Sequence, residues 1–97
     1  MPEPVTRIFI IDPDPDFIGW AAGHLKNPAV TVEKFSKAED ALVAYQKNRC
    51  DLVLAEVRLP GINGIELLKR IRQIDREVAR FRQLLQYSLT PVRVITL

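Results

Sequence analysis

The stretch Asp51-Leu52-Val53-Leu54-Ala55-Glu56-Val57-Arg58-Leu59-Pro60-Gly61-Ile62-Asn63-Gly64-Ile65-Glu66-Leu67-Leu68 decides how the chain is read. After Asp51 the residues to Ala55 are apolar without alternation, which suits a strand buried on both faces. Glu56 closes that run with a carboxylate. Leu59-Pro60-Gly61 is a turn signal. Asn63 and Glu66 stand three apart, a capping-box spacing with Asn in the capping role, so a helix is expected from Gly64.

Working back toward the amino terminus, the same unit recurs. Arg7-Ile8-Phe9-Ile10-Ile11 is a second short apolar run, stopped by Asp12-Pro13-Asp14-Pro15-Asp16. The prolines push Asp12 and Asp14 out of the helical region. Asp14 is expected to cap a helix with Pro15 at its first position and Asp16 in its first turn. Phe17, Ile18, Ala21, Ala22 and Leu25 give that helix its period, and Asn27-Pro28 ends it. Val30 to Phe35 reads as a strand, and Ser36-Lys37-Ala38-Glu39 as a capping box for a second helix bearing Ala38, Ala41, Leu42 and Tyr45.

Toward the carboxyl terminus, neither Pro nor Gly interrupts residues 65–90. Leu67, Ile71, Ile74, Val78, Phe81 and Leu85 recur in alternating steps of four and three, a heptad seam. A helix of roughly 22 residues is about 33 Å long. Thr90-Pro91 breaks it, and Val92 to Thr96 reads as a fourth strand. The order β-α-β-α-β-α-β implies a parallel α/β sheet. Sites in such sheets form at the carboxyl ends of the strands, which here carry Asp12 to Asp14, Glu56 and Thr96.

Composition narrows the function classes. At 97 residues the chain reads as one domain, residues 1–97, and 47% hydrophobic with 27% charged residues is a globular balance. Fourteen basic against twelve acidic residues, net +2, gives no global reason for nucleic acid binding. The local run of Lys69, Arg70, Arg72, Arg76, Arg80 and Arg82 against Asp75 and Glu77 reads as a solvated helix face with intrahelical pairs. No apolar run approaches a membrane span, and Met1-Pro2-Glu3-Pro4 lacks a signal-peptide layout. Cys50 is the single cysteine, so a reducing cytoplasm is the expected location. His24 is the single histidine and lies in an apolar-periodic stretch, so neither a Cys/His zinc cluster nor Ser/Cys–His catalysis is expected. The thiol of Cys50, with Lys47 and Arg49 nearby, reads as unreactive.

From spacing alone, the carboxylates at two strand ends and the Thr96 hydroxyl at a third have two readings. One is phosphoryl transfer to a carboxylate assisted by Mg²⁺, which takes oxygen ligands such as Asp12, Asp14 and Glu56. The other is structural: Asp14 caps a helix, Asp12 and Asp16 solvate a loop, and Thr96 ends a strand.

The sequence resembles the receiver domain of two-component response regulators. The likeness runs through residues 7–17, through Ser36 to Leu42, most strongly through 51–68, and again from Thr90 to Thr96. It implies a flavodoxin-like sheet in the order 2-1-3-4-5, here stopping after the fourth strand, with an extended third helix. It also implies roles: Asp12 as first member of the family's Mg²⁺-binding acidic pair, Glu56 at the phosphoacceptor position, and Thr96 as the hydroxyl that senses phosphate. The departures fall on that machinery. Pro13 stands at the second acidic position, Glu56 where the family has aspartate, and Leu97 where a small residue is usual. The family's fifth-strand lysine and aromatic switch residue have no counterpart before residue 97.

Pro13 brings neither a carboxylate nor a backbone N–H. Glu56 carries one extra methylene, and a misplacement of about 1 Å can cost about 100-fold in a positioned reaction. The expectation is therefore a non-enzymatic signalling domain in a phosphorelay pathway. It works by protein contact without ordinary aspartate phosphorylation, and Glu56 either mimics a charged acceptor or is a relic. No cofactor is expected beyond a weakly held Mg²⁺ on Asp12, Asp14 and Glu56, and a kinase or output domain is the expected partner besides the chain itself. The alternative is a receiver with altered acceptor chemistry, on Glu56 or a nearby Asp.

The long helix supplies a second expectation. It outruns a strand of about 17–20 Å, so its far end should project. With Ile71, Val78 and Leu85 at a and Ile74 and Phe81 at d, a parallel dimer would set Arg70 against Asp75 and Glu77 against Arg82. Self-association through Ile74, Val78, Phe81 and Leu85 is the prediction, with the fourth-strand edge and Arg93 as a secondary contact. The competing arrangement folds the stripe back on its own sheet.

Overall fold

The structure is a computed structural model that describes residues 5–84 and 93–96, with side chains described through Glu77. Strand β1 (Thr6–Ile11), helix α1 (Pro15–Leu25), β2 (Val30–Phe35), α2 (Ala38–Lys47), β3 (Leu52–Ala55), α3 (Gly64–Leu84) and β4 (Arg93–Thr96) follow in that order. The strands form one sheet in the order β2-β1-β3-β4, every pair parallel. This is the parallel α/β sheet that the alternating runs predict, in the flavodoxin-like order that the resemblance implies. The register aligns Phe35, Ile11, Ala55 and Thr96 in one row, so the next residues of β1 and β3, Asp12 and Glu56, leave the sheet side by side.

The apolar runs lack alternation because both sheet faces are covered. Phe9 and Ile11 of β1, with Val53 and Ala55 of β3, pack under α2 and α3 against Ala41, Leu42, Tyr45, Leu67 and Ile71. Ile8 and Ile10 point the other way, to Ile18 and Ala21 of α1. Leu52, Leu54, Val30 and Val32 join that second cluster only half-buried.

Local signals at two helix starts hold. The Asp14 carboxylate accepts from the Asp16 N–H at 3.0 Å with Pro15 leading the helix, and Asn63 Oδ1 accepts from the Glu66 N–H at 2.8 Å. The capping box expected at Ser36 does not form. Helix α2 begins at Ala38 with Lys37 at the cap and no side-chain cap bond. Glu39 turns away, and its Oε1 accepts from the Ile62 N–H at 2.8 Å. The physical reason lies across the domain. Gly61 adopts φ +74°, and a Cβ there would stand 2.5 Å from Glu39 Oε1. The left-handed turn thus presents a loop N–H to Glu39, and the glycine leaves room for it.

Helix α3 runs 21 residues, about 31 Å. Its first half is used by its own domain. Ile71 is buried, Ile74 packs against the same cluster, and Asp75 is buried. Arg70 pairs with Glu66 of its own helix at 3.3 Å. The pairing of Asp75 with a second chain's Arg70 is thereby corrected: Asp75 faces α2, because the row Leu67, Ile71, Asp75 follows the helical repeat onto the packed face. The side chains of Val78 and Phe81, the whole of Leu85, and the Arg93 and Thr96 side chains lie outside the described residues.

On the outer side of α1, Trp20 is 61% exposed. Its ring lies 4.3 Å from that of His24 and 6.0 Å from that of Phe17. His24 Nδ1 bonds the Trp20 carbonyl at 2.8 Å, so the histidine is a surface helix residue.

Candidate functional site

The carboxyl edge of the sheet is built by backbone pairing. The Asp12 N–H donates to the Phe35 carbonyl at 3.0 Å, and the Glu56 N–H donates to the Ile11 carbonyl at 3.0 Å. These two bonds extend the ladders one residue past the strands and hold both acids at adjacent strand ends. Thr96 pairs with Ala55, so its backbone lies on the same edge. The convergence of Asp12, Glu56 and Thr96 expected from the sequence is thus present in the backbone.

The side chains are already engaged. Asp12 is 8% exposed, and its Oδ1 accepts from the Asp14 N–H at 2.8 Å. Asp14 Oδ1 serves the Asp16 N–H. Glu56 Oε1 accepts from the Arg58 N–H at 3.2 Å. Asp12 and Glu56 therefore each curl onto the loop that follows their own strand. Among the described residues, no three His, Cys, Asp or Glu side chains are placed to hold a metal ion together. Pro13, between Asp12 and Asp14, adds no carboxylate to this edge.

The loop after Glu56 is closely packed. The Gly64 N–H donates to the Val57 carbonyl at 2.9 Å, and a Cβ on Gly64 would stand 2.5 Å from the Glu56 carbonyl oxygen. The helix start is therefore pressed onto the backbone at Glu56. Glu39 ties α2 into the same loop. The Ile62 N–H first, then its own backbone N–H, hold its carboxyl below the ordinary value.

Sequence reasoning missed a polar cluster between α2 and α3. The Tyr45 hydroxyl donates to Asp75 Oδ1 at 2.5 Å. Arg49 Nε donates to the same oxygen at 3.2 Å and to the tyrosine oxygen at 3.2 Å. Burial first, then the bond to Asp75, raises the Tyr45 pKa above its ordinary value, so the hydroxyl keeps its proton. Asp75 Oδ2 is buried with no hydrogen-bond partner among the described residues. The signal that would have found Asp75 is its spacing, four residues beyond buried Ile71. Cys50 is buried as well, and desolvation pushes its thiol up to about 12, in keeping with an unreactive thiol.

The comparisons with known proteins agree with this geometry. The family described as Response regulator receiver domain matches residues 8–82. The regulatory protein VanR of Enterococcus faecium is 32% identical over 66 residues, covering 68% of this chain and 29% of VanR. Two solved structures share the fold. One is the receiver domain of the response regulator Ssk1, co-crystallised with the histidine phosphotransfer protein Ypd1 of Saccharomyces cerevisiae. Its TM-score is 0.81 at 16% identity, over 99% of this chain and 65% of that one. The other is the Mg²⁺ complex of the receiver domain of the histidine kinase CKI1 of Arabidopsis thaliana, with a TM-score of 0.74 at 17% identity over 94% and 66%. The chain belongs to the response regulator receiver domain family, a module of two-component signalling. It spans under a third of the length of VanR. Among the described residues no helix is long and apolar enough to cross a membrane.

Proposed function

We propose that this chain is a receiver-family signalling domain that acts through contacts with other proteins and does not run the ordinary cycle of aspartate phosphorylation. The observation that supports this reading is the state of the acceptor edge. Glu56 stands at the acceptor position with Oε1 bonded to the Arg58 N–H. Asp12 is bonded to the Asp14 N–H, and Pro13 contributes no carboxylate. A longer side chain held on its own loop is poorly aimed for in-line attack on a phosphoryl group. On this reading the domain is not an enzyme, needs no Mg²⁺, resides in the cytoplasm, and has a kinase, phosphotransfer protein or output domain as partner.

Incubation with Mg²⁺ and a small phosphodonor, followed by intact-mass measurement, tests the proposal. An unchanged mass is expected. A gain of one phosphoryl group would overturn it in favour of acceptor chemistry on Glu56 or a neighbouring Asp. Mg²⁺ at millimolar concentration should leave the Tm unchanged. A ligand that binds only the folded state raises Tm by mass action, so a rise of several degrees with Mg²⁺ but not with monovalent salt would count against the reading.

Self-association through the far half of α3 belongs to the same reading. It rests on the apolar seam continuing past Ile74, itself packed on its own domain, through Val78, Phe81 and Leu85, and on a helix of 21 residues. Sedimentation at about 100 μM should show a dimer, and Val78→Asp with Phe81→Asp should return a monomer. A folded monomeric parent at that concentration excludes it.

A further inference from the structure

Between α2 and α3, on the side of the sheet away from α1, lies a groove of about 590 Å³, within the roughly 300–1,000 Å³ span of binding clefts. Leu42, Val43, Ile62 and Ile74 contribute apolar lining. Val43 is 52% exposed although it stands one residue from buried Leu42, so the groove offers apolar surface to an outside group. The charged residues along it are Glu39, Glu66 and Glu77 against Arg70. Arg70 is paired with Glu66 at 3.3 Å, so the lining sets three carboxylates against one guanidinium, with Glu66 and Glu77 spaced along α3. A chain that is net +2 thus carries a negative groove with apolar walls.

That charge pattern discriminates between occupants. A second copy of this chain would bring the same row, Glu66, Arg70, Gln73 and Glu77. In an antiparallel self-contact Glu66 would meet the other copy's Glu77, and in a parallel one like would meet like, so the surface does not complement itself. An acidic partner is disfavoured for the same reason. The groove fits a helix with an apolar face and cations at both ends. The acids on α3 are eleven residues apart, about 16 Å along the axis, or three turns. Helix-in-groove recognition reads apolar anchors at such spacing.

We infer that the α2–α3 groove is a docking site for a cationic amphipathic helix of a partner protein, one whose three-turn apolar stripe is flanked by Lys or Arg. The inference extends the protein-contact reading to a second surface. Its test reads peptide binding rather than a phosphoryl adduct, so failure of the inference leaves the phosphorylation result standing, and the reverse.

The probe is a labelled synthetic helical peptide of about 18 residues, with Leu at helical spacing and Lys elsewhere, and its control carries Glu in place of every Lys. Binding to the full chain is followed by anisotropy, and amide chemical shifts locate the contact. The Lys peptide is expected to bind, with the largest shifts at Leu42, Val43, Ile62 and Ile74. The double variant Glu66→Lys, Glu77→Lys should weaken binding about tenfold or more. Val43→Asp, altered at an exposed position, should weaken it as well while the amide spectrum stays folded. Equal binding of the Glu peptide, indifference to the charge reversal, shifts confined to α1, or no binding at about 1 mM would each overturn the inference. A dimer in sedimentation that Val43→Asp converts to monomer would overturn it too, by giving the groove to a second copy.

Discussion

The two faces of the sheet are built from equally apolar strands and are covered unequally. Under α2 and α3, Phe9, Val53 and Ala55 are fully buried. Under α1, the β1 residues Ile8 and Ile10 are buried, but Leu52 and Leu54 of β3 are only half-covered. One helix cannot seal what two can, because a helix is about 10 Å wide and neighbouring strands lie about 4.8 Å apart. Most of the burial that holds this fold therefore sits on the α2/α3 side. The polar cluster Tyr45–Arg49–Asp75 and the Glu39–Ile62 tether sit there too.

The strongest way to break this comparison is to hollow out each face in turn. Phe9→Ala should cost about 3–5 kcal/mol in urea unfolding, a large share of a marginal fold. Tyr45→Phe should cost about 1–3 kcal/mol, because it leaves the buried Asp75 carboxylate with Arg49 alone. Adding Asp75→Asn should recover part of that loss, since an uncharged side chain is cheaper to leave under-bonded, and a double-mutant cycle measures the recovery. Leu54→Ala, on the less covered face, should cost only about 1–2 kcal/mol. If Leu54→Ala matched Phe9→Ala, the asymmetry would be an illusion of geometry.

The smallest effect concerns acid. The folded-state pKa of Glu39 is lowered from 4.5, so its tether stabilises fully above that ordinary value and is lost as pH falls through the folded value. Glu39→Gln should flatten that part of the acid unfolding curve by lowering stability slightly near neutral pH, where the ionised tether acts in full. An unaltered acid limb would mean that the Ile62 bond contributes nothing to stability.

The elements legible in the sequence are those specified within a few residues. Pro15 behind Asp14, and Asn63 ahead of Glu66, mark helix starts whose capping bonds close over two or three positions. The unalternating runs Ile8–Ile11 and Leu52–Ala55 announce burial on both sides. Asp12 and Glu56 were placed at one edge because parallel pairing puts strand ends together. Glu39 and Asp75 misled because each resembles something local. Glu39 stands where a capping box wants an acid, yet its partner is 23 residues away at Ile62. Asp75 sits in a charged helical run at a heptad e position, yet its partner Tyr45 is 30 residues away. Competition between a local and a distant partner is settled by packing, and the pattern of one segment does not contain it. For the same reason the carboxyl edge carrying Asp12 and Glu56 is legible as a place, while the engagement of both acids with their own loops is not.

The chain's one tryptophan has a spectroscopic consequence. Trp20 is 61% exposed on α1, so much of its indole is already in water in the folded chain. Its emission should shift little on denaturation, and a folding experiment read by tryptophan alone would score this domain as unresponsive. Tyr45, fully buried beneath α2, and the far-ultraviolet signal of the helices are the observables that follow the core. The indole is then left as a single-site optical reporter for whatever comes to rest on the outer side of α1.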